Sequence, residues 1–263
     1  SNVCNHACVY CSPEYSSKWA TELNLVAEVP SQERIAELTK LVYDNAHKLE
    51  HVYMAGGEPL LMKENLELLD ILFEKNPNVN IRINTNLSKT GTRVFEKICK
   101  FKNVHWTISV DEMEQEFEYI RYGGVWQDFL DNLTVIMELN HKISFNMLYH
   151  ILNYKSLFET INFFRFLGFH NNSFIIGVLE RPDYLNIRHL PDNVLQLVKD
   201  NIKEWLDEKP GYLLEDGLQN VLQYVNEPIE KNLDNTLKRI KEMDTRRNID
   251  STQVFTEFYK DIN

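Results

Sequence analysis

Val52-Tyr-Met-Ala55-Gly56-Gly57 is a short apolar run that stops at a glycine pair, and its surroundings decide the fold. Upstream, between Gln32 and Leu49, the apolar residues Ile35, Leu38, Leu41 and Val42 recur at helical spacing, so the order is helix, then strand. Downstream the alternation continues. Leu66, Leu69, Ile71 and Leu72 mark a helix, 79–84 a strand, 94–101 a helix and 104–110 a strand. After a loop holding Gly123-Gly124, residues 126–139 read as helix, 143–149 as strand, 157–167 as helix capped by Gly168, and 173–179 as strand. Strands separated by helices of this length are joined by right-handed crossovers and form a parallel sheet. The fold class is therefore α/β.

Beyond Pro191 the pattern changes. Residues 193–206, 213–225 and 233–243 are amphipathic and no strand pattern follows, which predicts a main domain over 1–190 and a small helical C-terminal appendage over 191–263. No solenoid repeat or low-complexity tract is present.

The composition, 43% hydrophobic and 25% charged over 263 residues, is that of a globular protein with a sizeable core. The formal net charge is -11 and the Lys and Arg residues are scattered, which argues against nucleic acid as partner. No apolar run approaches the roughly 18–20 residues of a membrane span, and nothing at the N-terminus resembles a secretory signal. A cytoplasmic location and no membrane partner are the expectation. The chain opens on Ser1-Asn2-Val3 without an initiator methionine, which suggests a fragment or a processed chain.

Three of the four cysteines form Cys4-Asn-His-Ala-Cys8-Val-Tyr-Cys11, a C-x3-C-x2-C spacing. A disulfide framework would spread its cysteines to staple distant loops, whereas three thiolates this close converge on a small soft centre. Two centres fit. A cubane iron-sulfur cluster held by three cysteines keeps one iron open to a ligand, and a zinc ion could take His6 as its fourth ligand. The remaining thiol, Cys99, is expected on the apolar face of a helix as a buried, inert group.

The triplet, with an aromatic residue before its third cysteine, resembles the radical S-adenosylmethionine (SAM) superfamily. Gly56-Gly57-Glu58-Pro59, at the end of the first strand, resembles that family's second signature. The resemblance implies a partial (β/α)6 TIM-like barrel whose first strand, which precedes the cysteine loop, is missing from this chain. It implies a 4Fe-4S cluster on Cys4, Cys8 and Cys11, and SAM chelating the open iron. Glycines let the backbone approach a ligand closely, and Glu58 can accept hydrogen bonds from the SAM ammonium group. Tyr10 offers stacking area to adenine.

Further matches follow the strand order. Trp106-Thr-Ile-Ser109-Val-Asp111 is similar to the family's fourth-strand segment, in which the serine contacts SAM and the aspartate lies nearby. Arg121 falls where similar enzymes that mature sulfatases or modify peptides place an arginine on the SAM carboxylate; a surface charge is the alternative. Asn84-Thr-Asn86 resembles a Thr-Asn-Gly segment in which Leu87 here replaces glycine, so Asn86 is either a ligand contact or a turn cap. Gly177, Val178 and Leu179 match the later strand whose backbone meets adenine. Asn146 is either barrel-facing or an ordinary satisfied asparagine. Glu112 departs from the glycine often found after the aspartate.

Ser16-Ser-Lys-Trp19, Leu190-Pro191 and Met243-Asp-Thr-Arg246 look like members carrying a twitch domain, the half-length version of the SPASM extension. No cysteine follows Cys99, which speaks against an auxiliary cluster. The implied activity is reductive cleavage of SAM to a 5'-deoxyadenosyl radical that abstracts hydrogen from a substrate, with flavodoxin or ferredoxin as low-potential electron donor. A peptide or protein side chain is the first substrate expectation and a small molecule the second. Tyr149, His150 and Arg181-Pro-Asp-Tyr-Leu185 are the candidate substrate-facing residues. The alternative function is a non-catalytic zinc- or cluster-binding protein.

Overall fold

The computed structural model describes residues 1–27 and 29–262. Five parallel strands form one sheet in the order β1-β2-β3-β4-β5: β1 His51–Met54, β2 Asn80–Thr85, β3 Val104–Ser109, β4 Lys142–Tyr149 and β5 Phe174–Val178. The sequence pattern names all five to within a residue or two. The chain divides into two compact units, one of Ser1–Ser109 with Arg121–Ser144, the other of Val110–Ile120 with the chain from Phe145 on, so β4 starts in the first and ends in the second.

In the first unit, α1 (Ser17–Glu22), α2 (Gln32–Asn45), α3 (Asn65–Lys75), α4 (Arg93–Ile98) and α6 (Trp126–Met137) accompany β1 to β3. Alternation along the strands sends Ile81, Ile83, Val104, Trp106 and Ile108 into a core shared with Leu69 and Leu72 of α3 and Val94, Phe95 and Ile98 of α4. Phe95 and Trp106 pack with ring centroids 5.6 Å apart. The other face is polar. Tyr53 lies beside Arg82, and Arg82 beside His105 in the parallel register.

The second unit contains α5 (Glu114–Ile120), α7 (Leu157–Phe166), α8 (Asp192–Asp207), α9 (Tyr212–Asn226), α10 (Leu233–Arg247), α11 (Ser251–Val254) and α12 (Thr256–Ile262). Phe145 stacks on Phe164 at 4.2 Å and meets Phe169 edge-on at 4.7 Å. Helix α9 lies close on β5: a Cβ on Gly217 would stand 2.8 Å from the Ile176 carbonyl oxygen, so only glycine permits this approach.

The structure differs from the sequence reading at two points. The helix over 94–101 ends at Ile98, leaving Cys99 as its half-buried cap, not a core residue. Helices α1, α5, α11 and α12 went unread because segments of four to seven residues complete too few turns to show a period. Gly168 closes the helix over 157–167 as expected, one residue beyond Leu167 and with φ +97°.

Candidate active site at the cysteine loop

The cysteine loop is held in place by the residues that follow it. Ser16 caps α1 and its hydroxyl donates to the His6 carbonyl at 2.5 Å. Ser17 Oγ donates to the Cys4 carbonyl at 3.0 Å and accepts from the Cys4 amide, while Trp19 Nε1 donates to the Cys8 carbonyl at 2.7 Å. Ser16-Ser-Lys-Trp19, noticed in the sequence only as a subgroup mark, is thus the clamp on the loop backbone. A Ser, Ser and Trp at the start of a short helix directly after a metal-type triplet was the available signal.

The glycine turn meets the loop from the other side. The Glu58 amide donates to the Val3 carbonyl at 2.7 Å, and a Cβ on Gly57 would lie 2.3 Å from that same oxygen. Gly56 has φ +138°. The two signatures are therefore one contact surface, and glycine at 57 is a steric requirement. A third segment closes on them. The Ala7 amide donates to the Tyr122 carbonyl at 2.8 Å, and Gly123, with φ +99°, would place a Cβ 2.8 Å from the Asn5 carbonyl oxygen.

Arg121 is buried, its guanidinium 5.8 Å from the Tyr10 ring centroid, and its charge is felt by Cys11, His6 and Glu58. It is not a surface charge. Asn86 Nδ2 lies 3.7 Å from Cys4 Sγ and 3.3 Å from Asn5 Oδ1, and its side-chain oxygen accepts from the Ser88 amide at 2.9 Å, so Asn86 is both turn cap and neighbour of the first cysteine. Leu87, where the family pattern has glycine, sits at φ +55°. That backbone conformation disfavours a leucine side chain by roughly 1–2 kcal/mol.

Glu58 is fully buried. Its Oε1 accepts from Thr85 Oγ1 at 2.7 Å and from the Leu60 amide at 3.1 Å, and its Oε2 accepts from the Asn86 amide at 2.7 Å. Burial pushes its pKa up to about 7, against those three donors and Arg121. The carboxylate ties the end of β1 to the end of β2. One lone pair on Oε2 stays available to a further donor.

All four cysteines are free thiols. Burial raises Cys4 to about 11 and Cys11 above its ordinary value. His6 is buried, neither ring nitrogen has a hydrogen-bond partner, and burial with Arg121 and Lys18 nearby lowers its pKa to about 3. Among the described residues no three His, Cys, Asp or Glu side chains are grouped as a single-ion site. Three free thiols on one clamped loop suit a cubane cluster with one open iron.

Ser109 ends β3 in this unit and is half-buried. Asp111 and Val178 belong to the second unit. Asp111 is buried, and its Oδ1 accepts from the Leu148 amide at 2.8 Å. Val178 pairs with Tyr149 at the end of β5 and is half-buried. The Asn146 carbonyl accepts from the Val110 amide at 3.1 Å, a strand role. Tyr149 is a core residue whose hydroxyl donates to the Tyr154 carbonyl at 2.6 Å, which removes it from the substrate-facing candidates.

Residues 1–164 match the model of the radical SAM superfamily. The chain belongs to that family. Among curated relatives, it is 26% identical over 148 residues to a GTP 3',8-cyclase of Sulfurimonas denitrificans, covering 55% of this chain and 43% of the relative. It is 23% identical over 221 residues to a GTP 3',8-cyclase of Campylobacter curvus, covering 82% and 63%. The chain thus spans between two fifths and two thirds of the length of these relatives. Among solved structures, it is similar to Streptococcus suis SuiB bound to precursor peptide SuiA, with a TM-score of 0.57 and 16% identity over 81% of this chain and 46% of that one. The structure of anSMEcpe with bound AdoMet gives 0.54 and 14% over 78% and 59%. These likenesses establish the fold as the family's parallel α/β class.

Proposed function

We propose that this protein is a radical SAM enzyme that binds a 4Fe-4S cluster through Cys4, Cys8 and Cys11. The observation that carries the reading is the fusion of the two signatures into one surface, with the Glu58 amide bonded to the Val3 carbonyl and Gly57 leaving no room for a side chain. A cluster held by Cys4, Cys8 and Cys11 would supply one-electron reductive cleavage of SAM to methionine and a hydrogen-abstracting 5'-deoxyadenosyl radical, the electron coming from the donor protein. The protein's own residues position and shield. Arg121, placed against Tyr10 and near Cys11, supplies the cation for the SAM carboxylate. Glu58 accepts from the SAM ammonium through its remaining lone pair, with Gly56, Gly57 and Pro59 framing that approach. Asn86 and Ser109, at the ends of β2 and β3, offer polar contacts to the nucleoside.

Residues 1–190 are read as the catalytic core and 191–263 as a twitch-like helical extension without cluster cysteines. Flavodoxin or ferredoxin is the proposed electron donor. Among the described residues no helix is long and apolar enough to cross a membrane, and a cytoplasmic location is proposed. For substrate, a peptide or protein side chain is supported by the likeness to SuiB, seen with its precursor peptide. The curated relatives' name favours a nucleotide as the second reading. The deciding experiment is anaerobic reconstitution followed by reduction with dithionite in the presence of SAM. Brown protein with matched iron and sulfide that forms 5'-deoxyadenosine is expected. Colourless protein holding zinc tightly would instead establish the non-catalytic alternative.

A further inference from the structure

The cysteine loop and the Gly56–Pro59 turn stand at the C-terminal ends of β1 and β2. At the opposite, N-terminal ends of β1 to β4, on the polar sheet face of the first unit, lies a cavity of about 770 Å³. On β2 and β3 it is lined by residues 80–82 and 104–105, at the starts of six-residue strands that span roughly 17–20 Å, so it is separate from Asn86 and Ser109 at their far ends. None of the cysteines and no residue of the glycine turn lines it.

Its lining is unusual for this chain. Acidic residues outnumber Lys and Arg by 39 to 28 overall, yet the cavity is lined by Arg82, Lys102, Lys142, His51 and His105 and, among the described residues, by no carboxylate. Arg82 is anchored by a bond from its Nε to Thr107 Oγ1 at 3.1 Å, and His105 Nε2 is 2.8 Å from Ser144 Oγ. The cationic groups act on one another: His105 is held down to about 4 by its burial and by the charges of Lys142 and Arg82. A set of cations converging on one concavity with no counter-charge is stabilised by an anion of more than one charge.

We propose that this cavity binds a phosphorylated small molecule, its phosphate groups held by Arg82, Lys102 and Lys142. A single carboxylate would neutralise one of the three cations, whereas a phosphate or polyphosphate matches several, and an arginine held by its Nε is preorganised for phosphate oxygens. The volume is that of a site for a ligand of nucleotide size. The inference does not depend on the cluster assignment, because none of its residues touches the cysteine loop.

The test is calorimetric titration of the full chain with sodium tripolyphosphate at low and at physiological salt. One site is expected, with affinity falling steeply as salt rises. Arg82→Gln with Lys142→Gln should weaken binding about tenfold or more while leaving iron loading unchanged. Lys102→Gln with Lys142→Gln, both exposed side chains, should do likewise if the first pair unfolds. Equal affinity in a folded double variant, or no binding by the parent, would overturn the proposal. So would tighter binding of a polyglutamate peptide than of tripolyphosphate, which would mark the face as a docking surface for an acidic protein segment.

Discussion

Glu58 and Glu112 are buried glutamates that follow strands in different units, and opposite means satisfy them. Glu58, after β1, accepts from two backbone amides and one hydroxyl and has Arg121 nearby. Glu112, after β3, accepts from the Ser156 hydroxyl and from Thr160 Oγ1 at 3.3 Å, and its charged neighbours, Glu116 and Asp111, are themselves acids. Burial raises both, Glu58 to about 7 and Glu112 to about 8. Amide donors cannot turn round to accept, so position 58 demands an acceptor and supports a carboxylate. Hydroxyls can reverse, so position 112 tolerates a neutral group equally well. The difference separates a strand end built to hold a charge from one built to hold α7.

The severest way to break this contrast is through the loop that Glu58 supports. Cys8→Ala should abolish cluster loading and 5'-deoxyadenosine formation, read by iron analysis and chromatography, whereas Cys99→Ser, at the half-buried cap of α4, should leave both intact. Full turnover by Cys8→Ala would remove the site from the first unit altogether.

Glycine substitutions come next. Gly57→Ala must push the Val3 carbonyl away, which should destabilise by about 1–3 kcal/mol and lower cluster occupancy. Gly177→Ala, in β5, meets only the flexible end of Leu148 at 3.3 Å and should stay within about 1 kcal/mol of the parent in urea denaturation.

The glutamates themselves test the comparison directly. Glu58→Gln sets a side-chain amide against a backbone amide of Asn86 or Leu60 and should lose about 1–3 kcal/mol. Glu112→Gln should be close to neutral at low pH, where Glu112 already carries its proton. Equal losses from the two would show that the donor type makes no difference.

The smallest effect is in pH dependence. An acid whose folded pKa lies above its unfolded value binds more protons when folded. Its contribution is fully present below the unfolded pKa near 4.5 and is lost as pH rises through the folded value. The contribution of these two carboxyls should therefore decline from pH 4.5 through about 8, opposed below about pH 6.5 by His6 and His105, whose lowered values act with the opposite sign. The difference between parent and Glu112→Gln, followed by urea midpoints across the range, isolates Glu112: the parent's advantage over the variant should fall as pH rises from 4.5 through about 8. An unchanged slope would show that Glu112 is not held protonated.

Much of this site was legible without coordinates, because its parts are local. Cys4, Cys8 and Cys11 announce a soft centre by spacing alone, and Gly56-Gly57 announces a turn that something must approach. The approach itself was not legible: that the intruding atom is the Val3 carbonyl depends on a contact over more than fifty residues. Arg121 illustrates the same limit. Its type suggested either a surface charge or an anion ligand, and only its burial beside Tyr10 removed the first. Tyr149 failed in the other direction, since strand alternation does not say which face receives a hydroxyl acceptor such as the Tyr154 carbonyl.

Strand-helix alternation, the parallel sheet and the cysteine triplet are all readable from the chain alone, because periodicity and short spacings are properties of neighbouring residues. Tertiary structure alone decided which polar groups are satisfied and by what. The Glu58 clamp, the serine and tryptophan hold on the cysteine loop, and the gathering of Arg82, Lys102 and Lys142 around one cavity in an acidic chain all arise between segments distant along the chain. Hydrogen bonding and charge act through space, and their partners are assigned only when the strands are laid side by side.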